Sequence, residues 1–130
     1  MFKPYKFFIK QIELIEWYPG TADEAIVIGQ VLKLTSGKLT KADANSSGTQ
    51  EFVSLIATTG DDTTLLPVIR LQKQIQFHTN VVAGTPAINT TYTVDAAAVG
   101  ITNTTTNGVF KVDEIVEDGV VGHFVSAMAI

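Results

Sequence analysis

Val31-Leu32-Lys33-Leu34-Thr35 runs into Ser36-Gly37 and returns as Lys38-Leu39-Thr40-Lys41-Ala42. A two-residue turn at Ser36-Gly37 sets Leu34 opposite Leu39 on one face and leaves Lys33, Thr35, Lys38 and Thr40 on the other. The segment therefore reads as an amphipathic β-hairpin, and its neighbours repeat the pattern. Ala44 to Thr49 is a loop by composition, and Glu51 to Ala57 reads as a largely buried strand. Gly60-Asp61-Asp62 is a turn, and Thr64 to Leu71 is extended. Within it Pro67 is expected at a strand start, edge or bulge, because it has no N–H for a ladder bond. Gln72 to Phe77 and Thr90 to Val94 read as further strands, with Asp95 to Gly100 as a loop.

The end of the chain carries two hairpin signals. Asn107-Gly108 precedes a strand over Val109 to Val116, and Asp118-Gly119 precedes Val120 to Val125. A turn at Asp118-Gly119 predicts that Val116 faces Val121 and that Glu114 faces His123. At the other end, Phe7-Phe8-Ile9 and Trp17-Tyr18 favour strands and Pro19-Gly20 breaks the chain. With 130 residues the expectation is one mainly β domain: a small compact β-barrel or β-sandwich-like body with hairpins over residues 21–130. Residues 1–20 precede it as an extended N-terminal arm or edge strand.

Charge and composition exclude several classes of function. Lys plus Arg number 9 and Asp plus Glu 13, a net charge of −4 that disfavours a nucleic-acid partner. Lys3, Lys6 and Lys10 with Tyr5, Phe7 and Phe8 form a small basic-aromatic cluster, outweighed by that balance. The apolar run Phe7-Phe8-Ile9 is too short for a signal peptide core, and no stretch suits a membrane span. Asn45, Asn89 and Asn103 begin glycosylation-type triplets that, without a secretory signal, read as chance matches. The chain has no cysteine, which removes disulfides, thiolate metal sites and cysteine nucleophiles.

What chemistry remains is thin. His78 and His123 are the histidines, and with no Gly-x-Ser-x-Gly elbow both read as strand residues rather than as acid–base groups. Asp61-Asp62, Asp113-Glu114 and Glu117-Asp118 lack calcium-hand spacing, and Asp61-Asp62 and Glu117-Asp118 read as solvated turns. Phosphate-loop motifs are absent. The expectation is no catalytic residue, no metal and no cofactor. A more unusual feature is the stretch from Gln74 to Phe110, where Asp95 is the single charged side chain in 37 residues otherwise rich in Thr, Asn, Val and Ala. Such a stretch is either well buried or apposed to something else.

The order of elements from Ile26 to Val125 resembles the small head decoration, or cement, proteins of tailed bacteriophages. The likeness rests on Gly29-Gln30-Val31-Leu32-Lys33-Leu34, Gly37 to Ala42, Phe52 to Ala57, Leu66-Pro67-Val68-Ile69-Arg70-Leu71 and the ending from Thr105 to Val112 with its Gly-centred hairpin. It implies a structural virion protein made in the bacterial cytoplasm. Such a protein adds to the outside of a capsid, contacts the major capsid protein, self-associates as a homotrimer and stabilises the shell. The residues expected to bind a partner are Phe7, Phe8, Ile9, Trp17 and Tyr18. The rival readings are a tail or head-fibre component, a carbohydrate-binding β-sandwich using Tyr92 and Trp17 as stacking platforms, and a small enzyme whose best candidates are His78 and His123.

Overall fold

The computed structural model describes residues 1–7, 15–43 and 49–125, and the described residues form strands and no helix. The strands are β1 (Lys3–Phe7), β2 (Ile15–Pro19), β3 (Ala25–Ile26), β4 (Val31–Thr35), β5 (Lys38–Lys41), β6 (Phe52–Ser54) and β7 (Thr58–Thr59). They continue as β8 (Leu65–Arg70), β9 (Ile75–Val81), β10 (Thr91–Tyr92), β11 (Gly100–Ile101), β12 (Phe110–Val116) and β13 (Gly119–Phe124). One sheet has the order β1-β9-β13-β12-β10, with β11 also on β9; a second has β2-β8-β6-β4-β5; and β3 pairs with β7.

Alternation explains how the two large sheets meet. In β9, Ile75, Phe77 and Thr79 point inward while Gln76 and His78 point out. Val31, Val53, Ile69 and Leu71 of the five-stranded sheet pack against Phe77, Phe110, Val120 and Phe124 of the other, which makes the body sandwich-like. Phe2 enters this core, its ring 5.2 Å from that of Phe124 and 5.3 Å from that of Phe110. The opposite face of the five-stranded sheet is apolar too: Leu32, Leu39, Phe52, Leu66 and Val68 enclose a second core plugged by Ile26. The sheet curls around it until Gly20, just past β2, bridges to Leu39 of β5.

The stretch expected as an arm or edge strand contributes two described strands. β1 lies along β9 and β2 along β8, one at the margin of each sheet. Burial of Phe2 gives the physical reason for the first: an aromatic side chain removed from water contributes roughly 1.5–3 kcal/mol, which a free arm forgoes.

The hairpin from Val31 to Lys41 has the predicted register, with Leu34 opposite Leu39 and Thr35 opposite Lys38. Ser36 and Gly37 take φ of 52° and 78°, the left-handed pair that matches strand twist in a two-residue turn. The last hairpin departs from expectation. Its turn is Glu117-Asp118, so Val116 pairs with Gly119, Glu114 with Val121 and Lys111 with His123, with a bulge at Asp113. Gly119 is needed in the strand rather than in the turn, since a Cβ there would sit 2.1 Å from the Thr79 carbonyl oxygen. Asn107-Gly108 likewise closes no hairpin: it leads into β12, whose partners are β10 and β13.

Pro67 lies inside β8, between β2 and β6, contrary to its expected edge position. The ladder to β6 ends at Ser54 opposite Val68, and Leu55 N–H then donates to the Pro67 carbonyl at 3.1 Å. The proline thus faces the one step of that ladder where its missing N–H matters least. The strand expected over Glu51 to Ala57 is cut to Phe52–Ser54 because the Ser54 hydroxyl bonds both the N–H and the carbonyl of Ile56 and bends the chain. The strand expected from Gln72 starts at Ile75, whose N–H closes a turn on the Gln72 carbonyl.

Candidate functional site

The residues expected to bind a partner separate into three groups. Phe8 and Ile9 lie outside the described residues, and Phe7 is placed by its backbone opposite Ile75. Trp17 and Tyr18 point to opposite faces of β2. Tyr18 turns inward: its ring is 5.1 Å from that of Phe52, and its hydroxyl donates to Glu16 Oε1 at 2.6 Å. Glu16 in turn accepts from Arg70 Nε at 2.6 Å and Arg70 Nη2 at 2.9 Å, with the guanidinium 4.8 Å above the Phe52 ring. The Arg70 bonds hold the Glu16 carboxyl below its usual range, and the same Glu16 bond pushes the Tyr18 phenol up. Tyr18 is thus a structural anchor. Trp17 is 56% exposed and lies beside Ile15, 55% exposed, and Leu65, 54% exposed, on the other face.

The charge-poor segment is buried in its strands and exposed in its loops. Ile75, Phe77, Tyr92, Val94, Ile101, Val109 and Phe110 are buried. The loops between them are exposed at residues 82–85, 87–89 and 103–107. Those loops touch, since a Cβ on Gly84 would meet the Asn103 side chain at 2.6 Å. Asp95, the single charge of the segment, is turned onto the backbone and accepts from the N–H groups of Val99 at 2.9 Å and Gly100 at 3.1 Å. These loops expose Thr, Asn, Ala and Gly with Val82 and Ile88, and none of their own side chains is ionic. Sequence reasoning found the segment but could not tell its buried strands from its exposed loops.

The histidines belong to Asp–His pairs. His78 Nε2 is 2.8 Å from Asp118 Oδ1, while its Nδ1 is enclosed without a partner. His123 Nδ1 is 2.8 Å from Asp113 Oδ2, which also accepts from Gln76 Nε2 at 3.0 Å. The His78 bond holds the Asp118 carboxyl down. A relay to a nucleophile needs a hydroxyl at the second ring nitrogen, and among the described residues no Ser, Thr or Tyr hydroxyl bonds either ring. A pocket of about 320 Å³ beside His78 is lined by Lys3, Pro4, Tyr5 and Asp118.

The acidic turn Gly60-Asp61-Asp62 is internally satisfied. Asp61 accepts from the N–H groups of Thr63 and Thr64 and from the Thr64 hydroxyl, which pulls its carboxyl down to about 2. Asp62 bonds Lys38 at 2.9 Å and the Ala22 N–H at 3.0 Å. An open groove of about 600 Å³ beside this turn is lined by Lys33, Lys38, Glu24, Asp43 and Asp62. Its lysines at 33 and 38 pair with Asp43 and Asp62. Among the described residues no three His, Asp or Glu side chains gather as a metal site, and no helix is long and apolar enough to cross a membrane.

Tyr92, expected as a sugar-stacking platform, is 5% exposed, and its hydroxyl accepts from the Ala87 N–H at 2.8 Å. A ring so enclosed offers no face to a pyranose. No protein-family model matches the sequence, and no curated protein matches it.

Proposed function

We propose that the protein is a structural virion protein of the decoration type, which binds the outside of a tailed-phage capsid and stabilises it without catalysis. The observation that carries this reading is the set of exposed loops at residues 82–85, 87–89 and 103–107, which carry no ionic side chain of their own, on a body built of two packed sheets. Charged groups are depleted from the centres of protein interfaces because their desolvation is costly, while Thr, Asn and backbone groups form hydrogen bonds with little such penalty. A rigid sandwich holds those loops in position before contact, which limits the ordering entropy lost on binding. The resemblance to cement proteins supplies the kind of partner, the major capsid protein of an assembled shell.

Co-sedimentation with undecorated shells assembled from the major capsid protein tests the reading. The protein is expected to pellet saturably with the shells and to raise the temperature at which they open. Thr105→Glu combined with Ile88→Glu is expected to leave far-UV circular dichroism unchanged and to weaken pelleting at least tenfold. Absence of the wild-type protein from the pellet overturns the proposal.

A further inference from the structure

We propose that the pocket between β1 and the Glu117-Asp118 turn binds one neutral sugar ring, a pyranose seated against Tyr5 with its hydroxyls between Lys3 and Asp118. The backbone builds this pocket. β1 follows β9 with Lys3 opposite His78 and Pro4 opposite Phe77, then skips to Lys6 opposite Gln76. Alternation puts the side chains of Lys3 and Tyr5 on one face, and the bulge leaves Tyr5 without a ladder partner and bends the strand there. Tyr5 lines the pocket together with Lys3, Pro4, His78 and Asp118, and it is 54% exposed.

The polar groups of the pocket are held ready before a ligand arrives. His78 Nε2 lies 2.8 Å from Asp118 Oδ1, which fixes the carboxylate over the pocket. That bond, with a smaller contribution from the Lys3 charge, holds the Asp118 carboxyl down, so it is an anion at neutral pH. The Asp118 side chain is still 77% exposed and within reach of a ligand. Among the described residues Lys3 has no ion-pair partner.

Charge then selects the ligand. An anion meets the ionised Asp118, a cation meets Lys3, and a wholly apolar molecule desolvates both charges without replacing their hydrogen bonds. A neutral polyol satisfies both, because each hydroxyl donates one bond and accepts others: it donates to Asp118 and accepts from Lys3. Tyr5 and Pro4 supply the apolar wall against which the C–H face of a pyranose packs. The pocket volume of about 320 Å³ lies at the low end of the roughly 300–1,000 Å³ of small-molecule sites, which suits one ring. The larger groove beside Gly60-Asp61-Asp62 lacks this combination: no aromatic residue lines it, and Lys33 and Lys38 are bound to Asp43 and Asp62. Neither Tyr92 nor Trp17, the stacking residues expected from sequence, lines the pocket beside His78. Sugar binding there does not depend on what the uncharged loops bind.

Amide NMR titration of the full chain with the methyl glycosides of glucose, galactose, mannose and N-acetylglucosamine tests the proposal, with glycerol as the control for hydroxyls that lack a ring. At least one glycoside is expected to shift the amides of Lys3, Tyr5, His78 and Asp118 saturably, with a Kd on the order of 1 mM, while glycerol shifts none of them. Tyr5→Ala removes the apolar wall and Asp118→Asn the anionic acceptor. Each is expected to weaken binding about tenfold or more, with circular dichroism unchanged. Absence of saturable shifts with all four glycosides up to about 50 mM overturns the proposal. So do equal shifts with glycerol, or glycoside binding that Tyr5→Ala leaves intact.

Discussion

β2 and β5 border the same sheet and are held in different ways. β5 is held by Leu39, fully buried in the second core, and its outer backbone groups bond to Thr21 and Glu24. β2 is held by Tyr18 and by the Glu16–Arg70 pair stacked on Phe52; it exposes Ile15 and Trp17, and just past its end Gly20 bridges to Leu39 of β5. The two margins meet at one end, where Gly20 bridges to Leu39. The difference lies in what fixes each strand: β5 by a buried leucine, β2 by an aromatic and ionic clamp.

The largest test of this contrast is Leu39→Ala. Loss of a fully buried leucine between two strands and Ile26 is expected to cost about 2–5 kcal/mol by urea unfolding.

Next in size is Glu16→Gln, which opens the clamp on β2. Both partners of this ion pair are partly exposed, so after allowance for solvent screening the bidentate contact contributes about 0.5–1 kcal/mol. Its pH dependence has a definite sign. The folded carboxyl titrates below the ordinary value of 4.5, so the stabilisation is present above that value and is lost as pH falls through the lower folded one. The difference in urea midpoint between wild type and Glu16→Gln should therefore shrink between pH 5 and pH 3. Asp61, Asp62 and Asp118 are depressed in both proteins and cancel in that difference.

How much of this was legible in the sequence depended on whether local and distant forces agree. The hairpin from Val31 to Lys41 was readable because alternation and turn chemistry agree and nothing distant overrides them. The last hairpin slipped because Gly119 answers to a neighbour, the Thr79 carbonyl on β9, that no local pattern reveals. Trp17 and Tyr18 were singled out together, and alternation does place them on opposite faces. Which one turns inward depends on Phe52 and Arg70, more than 30 residues away in sequence. The charge-poor stretch was visible by composition, yet separating its buried strands from its exposed loops required the sheet order.

The smallest expected effect belongs to β5. Lys38 and Asp62 are 39% and 42% exposed at their side chains, so their bond lies in high dielectric and is readily screened by salt. Replacing Lys38 and Lys41 together with Thr is expected to leave the urea midpoint unchanged, since Asp62 keeps the Ala22 N–H and Leu39 stays buried. Lysines are a common guard on an edge strand, and their removal exposes an edge whose backbone groups are free. Here Thr21 and Glu24 already hold those groups, so no new association should appear when the double substitution is made. New oligomers in that double variant would show that the lysines, rather than the covering segment, close β5.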